Sequence, residues 1–430
     1  MIRSLKKLFC PGSNLTAQLI ARLKLARLVN VAVLLFYLAG QAGSLTWPQV
    51  LNEAARSGRE IKSAQKQLEV ARWTYYKSYS GFLPQISANM SAGQSDNSTG
   101  QSNSYSYGLS FSQSLFKGFS NYNNLSSANA SLSFYQASLQ YNEADYYYQL
   151  RQAFVNLYLG QRNIDVLKAI RQSRDENARM IKLLYDSGRE DKGNYLRTDA
   201  QRREADYRYL SAGRQLELAK LKLSQLIEAQ VSSVEGEFIP APIGEPDFDS
   251  LLKEAPAYKM SRSQLTLAEI DQRATISEYL PTVSLQGSYS KSGSSWPPDS
   301  SSKSLSLNLS YSLFPGGSNI AERVISDAQY DKAKEDFSIT KKEQYFAIRQ
   351  AYETFRDALE EYKLAEIYLD ASTQRAQIAQ VKYLNGLVSY NEWDQVQNEY
   401  FSSQNSLINS LKSALLAEAA WHKSYGGHVK

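Results

Sequence analysis

The stretch KSLSLNLSYSLFPGG, from Lys303 to Gly317, alternates between apolar and polar residues almost without error. Successive side chains of an extended chain point to opposite sides, so one side of this stretch is apolar and the other is polar. The apolar positions are Leu305, Leu307, Leu309, Tyr311 and Leu313. The stretch therefore predicts one half-apolar strand of about ten residues.

The chain repeats itself in a constant register, and the opening stretch belongs to the second copy. Four pairs of segments match at an offset of 197 or 198 residues. They are SGFLPQISA (80–88) with SEYLPTVSL (277–285), SLFKGFSN (114–121) with SLFPGGSN (312–319), QLRQAF (149–154) with AIRQAY (347–352), and YDSG (185–188) with YLNG (383–386). Periodic self-similarity of this kind indicates an internal duplication.

Each copy offers two strands joined by a polar loop. The first copy has strands at 85–92 and 104–116, and the second copy has strands at 282–290 and in the opening stretch. The segments between them, 93–104 and 293–302, are rich in Ser, Gly, Asn and Pro, a composition typical of loops. The sequence thus predicts two β-hairpins, which contribute four strands per chain.

Four strands are too few to close a barrel in a membrane. Spanning barrels begin at about eight strands, and an open edge in lipid leaves backbone groups unpaired. Three chains that each contribute four strands would close a barrel of about twelve. The polar face of Ser and Asn suits a water-filled lumen, although a soluble sheet packed on a helix gives the same alternation.

Long helices occupy most of the rest of the chain. Residues 121–185 and 320–383 contain no proline, and each run would extend about 100 Å as a helix. A coiled-coil seam is predicted in the second run, with members Ile348, Tyr352, Phe355, Leu359, Tyr362 and Leu369. Shorter helices are predicted at 48–79, 195–228, 257–279 and 393–423. The predicted fold class is therefore mainly α with a small β part.

The N-terminal segment carries the positive charge of the chain. Residues 1–42 hold six Lys or Arg and no acid, so removal of this segment from a chain of net charge +5 leaves about −1. Basic residues followed by about twelve apolar ones (28–39) and a small-residue site near Ala42 predict a cleaved signal peptide. The alternative, a membrane anchor, needs about 20 apolar residues. The single cysteine, Cys10, lies inside this segment.

The expected organisation follows from these boundaries. Residues 1–42 form the signal peptide, 43–230 the first repeat (helix, β-hairpin, long helix, helix), and 257–425 the second repeat. A Pro-rich linker at 231–256, expected at the waist of the helical part, joins the repeats, and 426–430 form a C-terminal tail.

The sequence contains few motifs that could bind a metal or a phosphate group or carry out catalysis. His422 and His428 are the only histidines, and two ligands near a chain end are weak grounds for a metal site because closed sites usually need four. The sequence shows no Gly-rich phosphate loop and no Gly-x-Ser-x-Gly elbow. We therefore expect no enzymatic activity, no cofactor, no metal and no nucleic-acid partner.

The duplicated hairpin and long helix resemble the TolC-type outer membrane efflux proteins. The likeness is carried by SLTWPQVLNEAARSGREIKSAQKQLEVAR (44–72), the Leu-Pro pairs at 83–84 and 280–281, and the YxxG motifs at Tyr185 and Tyr383. The resemblance implies a homotrimer in the outer membrane of a Gram-negative bacterium. It also implies a twelve-stranded β-barrel, a twelve-helix α-barrel that crosses the periplasm, and docking by a periplasmic adaptor and an inner-membrane pump.

The same resemblance implies a gate at the turns that follow the long helices. Gly188 and Gly386 are the turn glycines at the expected adaptor-facing tip. Residues of the family's gate fall on Tyr383 and Asn194, and its ring of acids falls on Glu392 and Gln395, with Asp394 adjacent on another helical face. The family's basic lock falls on Val388, and Asn194 is neutral, so that lock is absent here.

The functional prediction is an exit channel of a tripartite efflux or type I secretion system, in contact with outer-membrane lipid. Efflux of small molecules and secretion of polypeptides stay open at this point. So does a different class of protein, a structural coiled-coil protein of the cell envelope.

Overall fold

The computed structural model of the protein describes residues 44–97, 100–240, 242 and 244–428. The predicted signal peptide lies outside the described residues. The first repeat contains α1 (Trp47–Ser57), α2 (Arg59–Ser78), β1 (Gln85–Asn97), β2 (Gly100–Lys117), α3 (Ser120–Asp186) and α4 (Lys192–Ile227). After α5 (Phe248–Glu254), the second repeat contains α6 (Pro256–Ala274), β3 (Thr282–Gly293), β4 (Ser300–Ser310), α7 (Ser318–Leu384) and α8 (Tyr390–Ser424).

The fold class is confirmed: the chain is mainly helical, with one small antiparallel sheet and an internal duplication. The helices α3 and α7 have 67 residues each, so each extends about 100 Å. The predicted seam residues Ile348, Tyr352, Phe355 and Leu359 are buried. Tertiary packing of this seam, rather than helix propensity, stabilises such long helices.

The predicted helix at 48–79 is wrong in one respect, since Gly58 interrupts it and separates α1 from α2. A Cβ at this position would lie 2.9 Å from the Ala54 carbonyl oxygen and 3.1 Å from Cζ of Tyr146. Only glycine fits this approach without a shift, so the break lets α1 and α2 follow the side of α3.

The predicted strand ends also need correction. Strands β1 and β2 continue through most of the predicted loop at 93–104, with Gln94 opposite Asn103, because ladder hydrogen bonds are made by the backbone whatever the side chains. In contrast, β4 ends at Ser310, opposite Thr282. The residue before Thr282 is Pro281, which has no N–H to donate. Tyr311 and Leu313 therefore lie beyond the strand.

The four strands form one sheet in the order β1-β2-β3-β4, and β1 and β4 are its edges. Cross-strand partners place the predicted apolar positions on one face, with Ile86 opposite Phe111 and Leu285 opposite Leu307. Leu305, Leu307 and Leu309 are 66–72% exposed in the single chain. The sheet thus presents an apolar face that one copy of the chain leaves uncovered.

The opposite face of the sheet is hydroxyl-rich. Serine hydroxyls pair across strands, with Oγ–Oγ distances of 2.8 Å for Ser87 and Ser110 and 2.7 Å for Ser288 and Ser304. Between Gln85 and Ser112, and between Thr282 and Ser310, the described residues on this face are Ser, Thr, Asn, Gln and Gly. This face is therefore polar without being charged.

The core lies along the helices rather than at the sheet. One cluster packs at the middle of α3, around Leu150, Phe154 and Leu157, and another at the middle of α7, around Ile348 and Phe355. The connecting segment packs on both: Phe238 lies 5.1 Å from Phe154 between ring centroids, and Phe248 of α5 joins the α7 cluster. The segment between the repeats therefore packs at the midpoints of the long helices.

No helix in the described part of the chain is both long enough and apolar enough to cross a membrane.

Candidate functional site: the two helix turns

The turn after each long helix is built in the same way. In the first turn, Gly188 donates its N–H to the Tyr185 carbonyl (2.9 Å), and Arg189 donates to the Leu184 carbonyl (2.8 Å). In the second turn, Gly386 donates to Tyr383 (2.9 Å) and Leu387 to Lys382 (2.9 Å). The two glycines have φ of +73° and +70°, the left-handed conformation that ends helices at low cost in glycine.

Each turn ends in a capped helix. The Asp191 side chain accepts a hydrogen bond from the Asn194 N–H (2.9 Å), and the Ser389 hydroxyl accepts one from the Glu392 N–H (3.3 Å). Side-chain caps of this type typically contribute about 1 kcal/mol. Both turns are therefore rigidly specified by local sequence.

An aromatic stack closes each turn. Tyr185 stacks on Tyr195 at 5.2 Å between ring centroids, and Tyr383 stacks on Trp393 at 4.8 Å. Trp393 is fully buried and donates from Nε1 to Oε1 of Gln380 at 2.7 Å. The second stack is the more deeply packed of the two, since it belongs to a cluster that also includes Ile181 of α3.

A buried carboxylate joins the two helix pairs just behind the turns. Asp394 of α8 is 0% exposed. Its Oδ1 accepts from Arg174 of α3 at 2.9 Å, and its Oδ2 accepts from Arg197 of α4 at 2.7 Å. One side chain therefore ties α8, in the second repeat, to α3 and α4 of the first repeat.

The remaining polar atoms around Asp394 are also paired. Gln201 donates to Oδ2 at 3.1 Å and Asn398 donates to the same atom at 3.2 Å. Arg174, itself 6% exposed, also donates to Gln201 and Asn398 and lies over the Phe401 ring at 5.0 Å. A buried ion pair is tolerated only when its other hydrogen-bonding groups are satisfied, as they are here.

The cluster sits at one end of a groove of about 960 Å³ between α4 and α8, with α3 as its floor. Small residues line its middle, among them Gly160, Ala205 and Ala212. Arg174, Gln201 and Asn398, which all hydrogen-bond with Asp394, line the end of the groove that is nearest the turns.

The surroundings of Tyr383 shift the pKa of its hydroxyl. Burial raises the pKa of the Tyr383 hydroxyl, and the carboxylate of Glu190 and the Tyr390 hydroxyl raise this pKa further. The helices that follow the two turns lie close together, since the Thr198 hydroxyl of α4 lies 2.6 Å from the Tyr390 hydroxyl of α8. Glu190 also accepts a hydrogen bond from Asn194 Nδ2 at 2.7 Å.

The predicted site residues divide into exposed and buried sets. Glu392 and Gln395 are exposed on α8, while Asn194 and Tyr383 are half-buried. Asp394 is enclosed within the chain, whereas Glu392, on another face of the same helix, is exposed. The physical reason is its neighbour α3, whose Arg174 gives that helical face a partner.

Sequence reasoning did not single out Arg174 and Arg197. Arg174 lies near the C-terminal end of α3 among other arginines and lysines, and no local motif distinguishes it. Its partner is 220 residues away in sequence. An unusual Asp beside Trp393, where the first repeat has Leu196 beside Tyr195, was the available signal.

The two histidines lie far from the turns and have different partners. The His428 ring stacks on Tyr147 at 4.8 Å between centroids, and His422 Nδ1 hydrogen-bonds with the Tyr425 hydroxyl. Among the described residues, no group of three or more His, Cys, Asp or Glu side chains is arranged to hold a metal ion.

Comparisons with solved structures show the fold. The chain matches a membrane protein from Pseudomonas aeruginosa with a TM-score of 0.80 and 17% identity, covering 88% of this chain and 93% of that one. It matches the Campylobacter jejuni CmeC outer membrane channel with a TM-score of 0.77, 16% identity and coverage of 88% and 85%. For the outer membrane protein VceC from Vibrio cholerae the TM-score is 0.78, with 16% identity and coverage of 89% and 96%.

No curated protein sequence matches the chain. A family model does match it twice, over residues 50–228 and 248–427, and this family is described as outer membrane efflux protein. The two matches coincide with the duplication seen in the sequence and in the fold. The chain therefore belongs to the outer membrane efflux protein family and is a protein of the Gram-negative outer membrane that extends into the periplasm.

Proposed function

We propose that three copies of the chain form a continuous exit duct across the outer membrane and the periplasm. The observation that carries the proposal is the sheet: one apolar face, one neutral polar face, and two unpaired edges, β1 and β4. In lipid each unpaired backbone group costs several kcal/mol. If β4 of each copy pairs with β1 of the next, twelve strands close and no edge remains.

The hairpin turns fix the orientation of the sheet. The last described pairs of the two hairpins, Asn97 with Gly100 and Ser292 with Ser300, lie at the end of the sheet away from the helices. Lys117 and Thr282 lie at the end that adjoins the helices. With the helices in the periplasm, the hairpin turns point to the cell exterior. The Ser- and Asn-rich face then lines the lumen and the leucine-rich face contacts lipid.

The helices form the periplasmic part of the duct, and the turns form its inner end. Three copies of Glu392, exposed in the first turn of α8, would place carboxylates at a narrow opening and favour cations there. Gln395 is neutral, so in this chain Glu392 supplies the charge of the ring. Tyr383, Asn194 and the Asp394 cluster hold the two turns together behind it.

Transport along this duct is passive. The described residues include no nucleotide loop, and the duct has no need of catalysis, so we propose that the protein is not an enzyme. The energy must come from an inner-membrane pump, linked through a periplasmic adaptor that docks at the tips around Gly188 and Gly386. The features described here suit both tripartite efflux and type I secretion.

A structural coiled-coil protein of the envelope is the competing function. Such a protein has no need of a sheet with a lipid-compatible face and a neutral hydroxyl face. Adjacent residues of β4 provide a matched test. Leu305 lies on the apolar face and Ser306 on the polar face.

Leu305→Lys should cost about 2–4 kcal/mol near the bilayer midplane and block assembly of a membrane-inserted trimer, whereas Ser306→Lys should be tolerated. Assembly is measured as heat-modifiable trimer in the outer-membrane fraction, and conductance is measured in planar bilayers. Equal assembly of both variants would contradict the barrel, and a soluble dimer of the unmodified chain would favour the envelope coiled coil.

A further inference from the structure

Two lysines interrupt the apolar face of the sheet near the hairpin turn of the second repeat. Lys303 lies opposite Tyr289, and Lys291 lies opposite Ser301 on the next rung of the same face. The two lysines are thus diagonal neighbours on adjacent strands, a relation that separates Cα atoms by about 7–8 Å. Side chains as long as lysine can bring both ammonium groups to one anion across this distance.

Aromatic rings surround the pair. The Lys303 ammonium lies 5.7 Å from the centroid of the Tyr289 ring. Tyr107 is the other cross-strand partner of Lys291, and its ring lies 5.9 Å from Trp296 of the hairpin turn. Trp296 is 54% exposed. Tyr and Trp each combine an apolar ring with a polar group, and they are enriched where a membrane protein meets the lipid headgroups.

The position along the strand fits that level. Thr282 and Ser310 are paired at the base of the sheet, and Lys303 lies seven residues along β4 from Ser310. This separation corresponds to about 23 Å of strand. With a strand tilt of about 40°, this is roughly 18 Å along the membrane normal, towards the outer edge of an apolar band about 25 Å tall. Leu305, Leu307 and Leu309 occupy the rungs between Lys303 and the base.

The two cations have no internal counter-ion. Within the described residues, neither ammonium has a carboxylate at ion-pair distance. Asp96 shares the face but lies on β1, opposite Gln101, and Asp299 belongs to the turn. A pair of lysines on a lipid-facing surface, with apolar rows below and aromatic rings beside it, is complementary to an anionic headgroup whose acyl chains run along the leucines.

We propose that Lys291 and Lys303 form a binding site for the phosphate groups of a phosphorylated glycolipid in the outer leaflet. The ammonium groups contact the phosphate oxygens, and Trp296 and Tyr107 lie beside the sugar headgroup. The leucines of β4 contact the acyl chains. This inference rests on the proposed duct, because it requires the apolar face to be in lipid with the hairpin turns outside.

The test uses the full-length trimer, purified in detergent, and lipid A as the probe. Native mass spectrometry compares lipid A carrying two phosphates with the same glycolipid after removal of its phosphates. We expect the phosphorylated form to be retained preferentially. With about a fivefold contribution from each lysine, the Lys291→Gln/Lys303→Gln variant should bind it about 25-fold more weakly.

Matched variants separate a charge effect from a structural one. Lys291→Arg/Lys303→Arg should retain the lipid, and Lys117→Gln, at the base of the sheet and on the polar-face register, should leave binding unchanged. Binding of both glycolipids with equal affinity, or retention by the double glutamine variant, would overturn the site. Equal occupancy by inorganic phosphate without lipid would do so as well, since it indicates an adventitious ion only.

The same preparations separate this inference from the proposed function. The double glutamine variant should still assemble as a trimer and conduct like the unmodified protein. Normal assembly and conductance without phosphate-dependent lipid retention would overturn the lipid site alone. Failure of the unmodified chain to assemble in membranes would overturn the duct and the lipid site together.

Discussion

The two helix turns have almost the same backbone and different chemistry. Residues 198 apart are equivalent: Gly188 and Gly386 adopt the same φ, and the Tyr185–Tyr195 stack is repeated as Tyr383–Trp393. One position later the copies diverge. Leu196 is 55% exposed, whereas its counterpart Asp394 is 0% exposed.

The divergence reflects what each helix packs against. Within one chain α8 packs on α3 of the first repeat, and Asp394 lies in that contact. The pseudo-equivalent contact would join α4 to α7, but in one copy these two helices do not form a packed face. In the proposed trimer, a closed ring of alternating repeats, α4 would meet α7 of the next copy. Asp394 therefore lies at the seam within a chain, and in the proposed trimer Leu196 would lie at the seam between chains.

The largest effect is expected when Asp394 is replaced by leucine, the residue found at the equivalent position 196 of the first repeat. Asp394→Leu leaves the Arg174 guanidinium buried without its carboxylate, so the tip should lose about 3–5 kcal/mol of stability against local opening. Amide hydrogen exchange over residues 390–401 measures this opening, and resting conductance should rise in parallel. Asp175, whose pair with Arg179 is exposed, supplies the control: Asp175→Asn should change stability by less than about 1 kcal/mol.

A second variant exchanges the aromatic partner. Trp393→Tyr copies the first turn, keeps an aromatic stack on Tyr383 and removes the hydrogen bond to Gln380 along with some apolar contact. The expected loss is about 1–2 kcal/mol, measured by hydrogen exchange over the same residues. Tyr195→Phe keeps the stack in the first turn and should be nearly neutral; a larger effect there than at Trp393 would reverse the proposed ranking of the two turns.

The smallest effect is expected at the equivalent positions Asn194, which is half-buried, and Glu392, which is exposed. Glu392→Asn should lower cation selectivity, on the order of two- to threefold at physiological salt, because exposed charges are strongly screened. Reversal potentials across a KCl gradient measure this selectivity, and lower salt should increase the difference. Selectivity that does not change would remove Glu392 from the proposed ring, and Asn194→Glu should shift selectivity in the opposite direction.

Much of the fold could be predicted from the sequence because it depends on local patterns. Proline-free runs and the seam through Ile348 and Phe355 predict the long helices, and the alternation of leucines predicts the apolar face of the sheet. Gly188 and Gly386 mark the turns because few other residues adopt a positive φ. Each of these features depends on residues that are close together in the sequence.

The features that the sequence did not predict depend on residues that are far apart in the chain. Strands β1 and β2 extend through a Ser- and Gly-rich segment because each strand gives the other a ladder, and β4 ends early because Pro281 removes a donor from its partner strand. The burial of Asp394 depends on Arg174, which no local pattern connects to it. Long-range pairing of this kind is visible only once the helices are placed together.

The most direct test of the two-seam account places a photoreactive amino acid at Leu196 in the full-length protein, followed by irradiation in cells and peptide mapping. The account predicts covalently linked copies of the chain, with the crosslink in residues 318–384 of α7, and the same probe at the exposed Arg208 provides a reference for background. Crosslinks from Leu196 only within one chain, or only to other proteins, would contradict a ring in which α4 of one copy meets α7 of the next.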